Sequence, residues 1–393
     1  MINPIRPIRP ISRIQKKDDD AMMLKKRKIV FGAALFFVAG LLAYDVPEYK
    51  KETVLSDRRG EVQPYLAFPA LLDLGDDILV SYKRGNAHLA DSGAFLEMLR
   101  LDGCSGAVKE CKNIAALDGQ IMQMGEWVRF ANGDIASYID AQKKGQPSRI
   151  GLRMVRSSDG GKTFGPVTRV GVIDGVEYGY AFEAVTRGQI TWMLVMTFTN
   201  LTGGVYSKVL QRPVAGSVDI VRTEDNGRSW KFVRSVTSEL DGASINESSF
   251  ALYKDGFILT ARGYDNRQWL IRLDAECKLV QKVNLTAEYE FIKSHIGRPR
   301  VFERDGRWYL LGRNSIDKGP MRLSLFRFDP DTLAIQRHVV LDNDEGAKLR
   351  DGYYAVVYWR ESGGKTMFNV VNYKAESGPP VIHRLEFDWE EVR

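Results

Sequence analysis

The sequence predicts an all-β, six-bladed propeller, and three observations carry that prediction. A strand-and-turn pattern occurs twice almost unchanged, as Ser157-Ser158-Asp159-Gly160-Gly161-Lys162-Thr163-Phe164 and Thr223-Glu224-Asp225-Asn226-Gly227-Arg228-Ser229-Trp230, with its aspartates 66 residues apart. Six hairpin turns, each set between apolar runs, recur near Asp76, Asn132, Gly188, Asp255, Asp305 and Gly363. A strand ending in aspartate follows every one, at Asp102, Asp159, Asp225, Asp274, Asp329 and Asp388. A unit of roughly 55 residues that supplies several short strands suits four-stranded blades, a format whose sheet edges are short and protected.

The duplicated turn has a physical logic. Asp159 and Asp225 can accept hydrogen bonds from backbone amides ahead of them, Gly161 and Gly227 are free to take φ > 0, and Phe164 and Trp230 can be buried beneath the turn. The other four units keep the aspartate and lose the glycine and aromatic positions.

Taken in order, residues 1–28 are a basic leader, or an overrun of the reading frame ahead of Met22 or Met23. Residues 29–44 (IVFGAALFFVAGLLAY) are apolar and follow Lys25-Lys26-Arg27-Lys28, which reads as a signal anchor or the core of a signal peptide. The basic cluster predicts a cytoplasmic N-terminus, with the rest exported to the periplasmic or extracellular side, membrane-anchored or secreted if the signal is cleaved. Residues 45–57 are a linker and possible closing strand, and 58–393 hold the propeller. Nothing beyond the N-terminus reads as a long amphipathic helix.

The net charge of +6 resides in residues 1–28, which hold nine Lys/Arg and three Asp; the remaining 47 basic and 47 acidic residues cancel. A neutral propeller offers no basic face for nucleic acid. Three cysteines are too few for a disulfide framework, although Cys104 and Cys111 could pair in an oxidising compartment, leaving Cys277 alone. Four scattered histidines and the lack of a ligand motif predict neither metal nor cofactor. The seven tryptophans are spread across the units, which suits core packing better than a sugar platform.

The paired turns resemble the Asp boxes of the sialidase (neuraminidase) superfamily, over about residues 60 to 390. In that family an arginine triad grips the substrate carboxylate, a tyrosine paired with a glutamate attacks the anomeric carbon, and an aspartate serves as acid/base. The tyrosine has a reason: a carboxylate on the anomeric carbon repels an anionic nucleophile. The resemblance implies Glu247 (in Asn246-Glu247-Ser248-Ser249) as the base and Arg262, 15 residues on, as the second arginine. It further implies Arg322 (in Met321-Arg322-Leu323) as the third arginine and Tyr354 as nucleophile, with Tyr353 open as the alternative because neighbouring strand residues face opposite ways. Asp91 falls where the acid/base would, and Arg84 resembles an accessory arginine.

The first arginine is missing: the family's Tyr-Arg-Ile-Pro stretch reads Leu66-Ala67-Phe68-Pro69, which removes a charge-assisted bond worth about 1.5–3 kcal/mol. Lys83, Arg84 and His88 form a cationic patch that could replace it for an acidic or sulfated sugar, and His295 could line the central mouth. Each of these residues alone also fits a plain strand or turn position. The resemblance implies an exo-acting hydrolase of an acidic glycan, with carbohydrate as substrate or ligand. A uronic-acid lyase and a non-catalytic glycan-binding propeller are the alternatives.

Overall fold

The computed structural model describes residues 44–198, 205–207, 212–214, 216–315, 321–343, 352–375 and 378–393. They form a six-bladed β-propeller of antiparallel sheets. Blade 1 runs from the axis outwards through Tyr65–Asp73, Asp77–Gly85, Phe95–Asp102 and Val108–Ala115. Blade 2 uses Gln120–Arg129, Ile135–Lys143, Arg153–Ser157 and Thr168–Arg169, and blade 3 uses Val176–Arg187, Ile190–Thr197, Val218–Thr223 and Lys231–Ser235. Blade 3 also carries the short strand Val172–Ile173 beside its first strand, and the hairpin of Val205–Ser207 and Arg212–Val214. Blade 4 comprises Ile245–Tyr253, Gly256–Gly263, Gln268–Leu273 and Leu279–Asn284, and blade 5 comprises Gly297–Arg304, Arg307–Asn314, Arg322–Phe328 and Ile335–Asn343. Blade 6 takes Val356–Ser362, Lys365–Lys374 and Val381–Asp388 from the end of the chain and Lys51–Ser56 from its beginning. Lys51–Ser56 pairs antiparallel with Val381–Asp388, and Glu52 meets His383 Nδ1 at 2.7 Å, so one sheet joins both ends of the propeller.

All six expected turns join a first strand to a second. At Asp305-Gly306 (φ 54° and 72°) and Gly363-Gly364 (φ 60° and 75°) both residues are left-handed, which matches the strand twist of a two-residue hairpin. Middle strands lie between neighbouring blades and are buried on both faces, so Leu79, Val80, Leu310 and Leu311 read as unbroken apolar runs.

The aspartate turns bind themselves and the preceding blade. Asp159 accepts from Thr163 N (2.9 Å), Thr163 Oγ1 (2.6 Å) and Ser157 Oγ (2.7 Å), while Gly161 N donates to Ser157 Oγ at 2.8 Å. Asp225 repeats this with Ser229 N, Ser229 Oγ and Thr223 Oγ1, and those bonds hold its carboxyl down to about 2. One blade back, Arg100 donates to Gly160 O (3.0 Å) and Arg156 to Asn226 O (2.7 Å). Trp230 Nε1 donates to Tyr138 OH of blade 2 at 3.0 Å. Gly227 (φ 78°) faces Phe130 so closely that a Cβ would lie 2.4 Å from Cζ. Gly227→Ala is therefore expected to lower unfolding stability in urea by about 2–4 kcal/mol, through left-handed strain plus overpacking.

Two expectations are corrected or fall outside this picture. Cys104 and Cys111 are free thiols. Cys111 pairs with Leu99, three residues before the end of Phe95–Asp102, while Cys104 lies in the turn beyond that end, so about 10 Å of hairpin separates Cys111 from the turn, more than the ~7 Å Cα separation a disulfide spans. Residues 29–43 of the apolar segment lie outside the described residues, and among those described no helix is long and apolar enough to cross a membrane.

Candidate functional site

The innermost strands of blades 1 to 5 are bulged. Register slips between Ala67 and Ala70, Met122 and Met124, Tyr178 and Tyr180, Ile245 and Ser248, and Gly297 and Arg300. Bulges re-aim side chains. Beside these bulges one residue from each of blades 1 to 5 (Phe68, Met124, Tyr180, Glu247 and Arg298) gathers around Tyr354, which precedes the unbulged first strand of blade 6. Tyr354 OH lies 2.5 Å from Tyr180 OH and 3.1 Å from Met124 Sδ, and its ring meets Phe68 edge-on at 5.4 Å. The Arg298 guanidinium sits 4.8 Å from the Tyr354 ring centre, and Arg298 N donates to Glu247 at 2.8 Å. Burial pushes the Tyr354 phenol well above its ordinary value, while the Arg298 charge pulls it back.

Tyr354 is the tyrosine at the axis. Tyr353 turns away (φ 57°) and donates to Asp342 at 2.8 Å. Glu247 receives Arg262 Nη1 at 2.6 Å. Burial alone would raise the Glu247 carboxyl, but the charges of Arg262 and Arg313 and the Arg298 amide hold it down to about 2. Glu247 and Arg262 keep side-chain exposures of 17% and 21%, so solvent and ligand can reach them.

Arg313 belongs to this cluster and Arg322 does not. Arg313 is the penultimate residue of the second strand of blade 5, as Arg262 is in blade 4, and packs over Gly297, where a Cβ would lie 2.8 Å from its Nε. Arg322 opens the third strand, one strand further from the axis, and its guanidinium lies 4.9 Å from the Tyr44 ring centre. The signal for Arg313 was in the repeat: Arg262 follows the Asp255 turn by seven residues and Arg313 follows the Asp305 turn by eight.

Blade 1 uses its charges internally. Asp91 is fully buried with Lys83, their ion pair 3.0 Å long, and accepts from the amides of Asn86 (2.9 Å), Ala87 (3.1 Å) and Gly93 (3.0 Å). Burial opposes its ionisation, yet the Gly93 amide, the Lys83 charge and the remaining amides keep its carboxyl below the ordinary range. In this conformation Asp91 holds the loop together and presents no proton. Lys83 also donates to Ala87 O (2.7 Å) and Gln123 Oε1 (2.8 Å). Arg84 is neutralised by Glu97 (2.9 Å) and Glu61 (2.8 Å). His88 reaches the axial ring, its Nδ1 3.0 Å from Tyr65 OH and its ring edge-on to Phe68 at 5.0 Å. Ala67 is buried, so blade 1 offers aromatic surface where a cation was expected.

His295 lies within the field of Arg262, Glu247 and Arg313, and burial followed by Arg262 lowers it to about 4. His338, held by Ser324 Oγ at 2.9 Å, is likewise lowered by burial to about 4. Both stay neutral in the native state while the unfolded chain protonates near 6.5, so stability falls as pH drops from 6.5 to 4. Urea midpoints at pH 7 and 4.5 are expected to show this loss, and His338→Gln is expected to reduce the slope. A further guanidinium, Arg149, stacks on Phe198 at 4.5 Å and pairs with buried Asp140 at 3.1 Å.

No protein-family model and no curated protein sequence matches the chain. Solved structures do. A protein of unknown function from Dyadobacter fermentans superposes with a TM-score of 0.64 at 14% identity, over 87% of this chain and 98% of that one. NanB sialidase from Streptococcus pneumoniae gives 0.58 at 10% identity over 86% and 70%. Trypanosoma rangeli sialidase in complex with sialic acid gives 0.54 at 11% identity over 87% and 59%. The chain therefore has the six-bladed β-propeller fold of the sialidases.

Proposed function

We propose that the protein is a glycoside hydrolase that binds an anionic sugar at the axial depression and cleaves its glycosidic bond, with Tyr354 as nucleophile. The observation that carries this reading is the placement of the Tyr354 phenol at the axis, beside Tyr180, over the Arg298 charge and within the field of Glu247. Tyr354 O forms a bond to the anomeric carbon, its proton passes to Glu247, and the bond to the leaving oxygen breaks; water then releases the sugar. Arg262 and Arg313 supply two cations for the substrate's anionic group, and the blade-1 wall of Phe68 and His88 takes apolar sugar surface. Asp91 can act as acid only after its loop releases Lys83, so substrates with acidic leaving groups, which need no proton, are cleaved most readily.

The test is leaving-group release from aryl glycosides of acidic and neutral sugars, headed by an α-sialoside, alongside binding of the same sugars. Turnover of an acidic member is the expected result. Saturable binding without product would favour the second reading, a glycan-binding propeller, to which the sequestered Asp91 and the buried Ala67 lend support. We infer that the protein is exported, because residues 29–44 read as a signal anchor or signal-peptide core, and fractionation of cells carrying the full chain tests that.

A further inference from the structure

We propose that Arg298 is a positioning residue for Tyr354, holding a positive charge under the phenol ring so that the phenolate can form and depart. This rests on Tyr354 being the reacting group of the proposed hydrolase. Arg298 is 1% exposed, so it acts through Tyr354 and does not touch the substrate. Its guanidinium is anchored on the far side by Glu126 and by Phe182 O at 2.7 Å, and Arg300 holds Glu126 from below at 2.9 Å. Arg298 Nε and Nη1 have no hydrogen-bond partner. Aromatic rings surround the group instead: Tyr354 at 4.8 Å, Phe182 at 5.7 Å and Tyr180 at 5.9 Å.

The bulge itself does not require a charge at this position. Phe68 of blade 1 occupies the same place in its bulge, also left-handed (φ 58°) and also followed by proline, and an apolar ring serves there. Replacing a buried ion pair by apolar groups is often neutral or stabilising, so the Arg298–Glu126 pair needs another reason to exist. Arg298 is moreover held at φ 42°, a conformation that costs a non-glycine residue energy and tends to persist at functional sites. A tyrosine nucleophile supplies the reason. Phenolate charge appears when Tyr354 attacks and again when the glycosyl–tyrosine bond breaks, and a fixed cation in a dry site stabilises it without reorganisation.

The experiment measures the rate at which a small arylsulfonyl fluoride labels Tyr354, by peptide mass spectrometry on the full chain. The phenolate displaces fluoride, so the rate reports phenolate formation and needs no glycan turnover. Arg298→Gln and the double variant Arg298→Gln/Glu126→Gln are expected to slow labelling about tenfold or more, the equivalent of one pKa unit, while Arg298→Lys restores it to within about threefold. The double variant leaves no unpaired buried charge and carries the test if the single one fails to fold. Labelling of the folded double variant at the wild-type rate, equal slowing by Lys and Gln, or a wild type unlabelled at Tyr354 would each overturn the proposal. Arg298-dependent labelling in a protein that cleaves no glycan would instead remove the hydrolase reading and leave Arg298's role intact.

Discussion

Tyr354→Phe is expected to abolish turnover, with kcat falling by about 10³-fold or more, because the hydroxyl that forms the covalent bond is gone. Binding of the anionic sugar is expected to survive, since Arg262 and Arg313 are untouched. The variant leaves Tyr180 OH without its 2.5 Å partner in a buried site, which costs about 1–3 kcal/mol and is checked by urea denaturation. Equal activity in the variant, measured on an aryl glycoside that the wild type cleaves, would show that another group attacks.

Arg262→Gln is expected to act chiefly on binding. It removes one of two cations from the anionic subsite, worth about 1.5–3 kcal/mol or one to two orders of magnitude in affinity for acidic sugars. Neutral sugars are expected to lose little, and titration calorimetry with both classes separates the two effects. The same change alters acid stability. Glu247 sits near 2 in the folded protein against an ordinary 4.5, so its ionisation stabilises the fold above about 4.5 and that contribution is lost as pH falls towards 2. Without Arg262 the folded value rises, the contribution shrinks, and acid unfolding is expected to begin at a higher pH. Acid titrations of the two proteins followed by circular dichroism check the direction.

The fold was legible because its punctuation is local. A turn such as Asp305-Gly306 and an aspartate such as Asp225 carry their geometry in neighbouring residues, so six repeats could be found one at a time. The site was legible only in part, because it depends on which way each strand residue points. Tyr354 lies within the field of Glu247, yet the resemblance points to Arg322 and leaves unread Arg313, which occupies the place in blade 5 that Arg262 has in blade 4. Comparison of the two blades turn by turn would have corrected that. Asp91 carried no such signal: its immersion with Lys83 depends on the fold of residues 86–93 over Gln123 of the next blade. Arg298 was hidden for a related reason. A bulge, a left-handed residue and a proline together aim it inwards, and nothing in Gly297-Arg298-Pro299-Arg300 alone says which arginine lies beneath the tyrosine.

The decisive measurement is trapping of a glycosyl–enzyme with a fluorinated sialosyl fluoride, followed by mass spectrometry of the intact protein and its peptides. Attack by Tyr354 predicts a one-sugar mass increase on the peptide that contains Tyr354, absent from Tyr354→Phe. A folded wild-type protein that gains no sugar, or gains it at another residue, would contradict Tyr354 as the nucleophile of a hydrolase acting on that sugar.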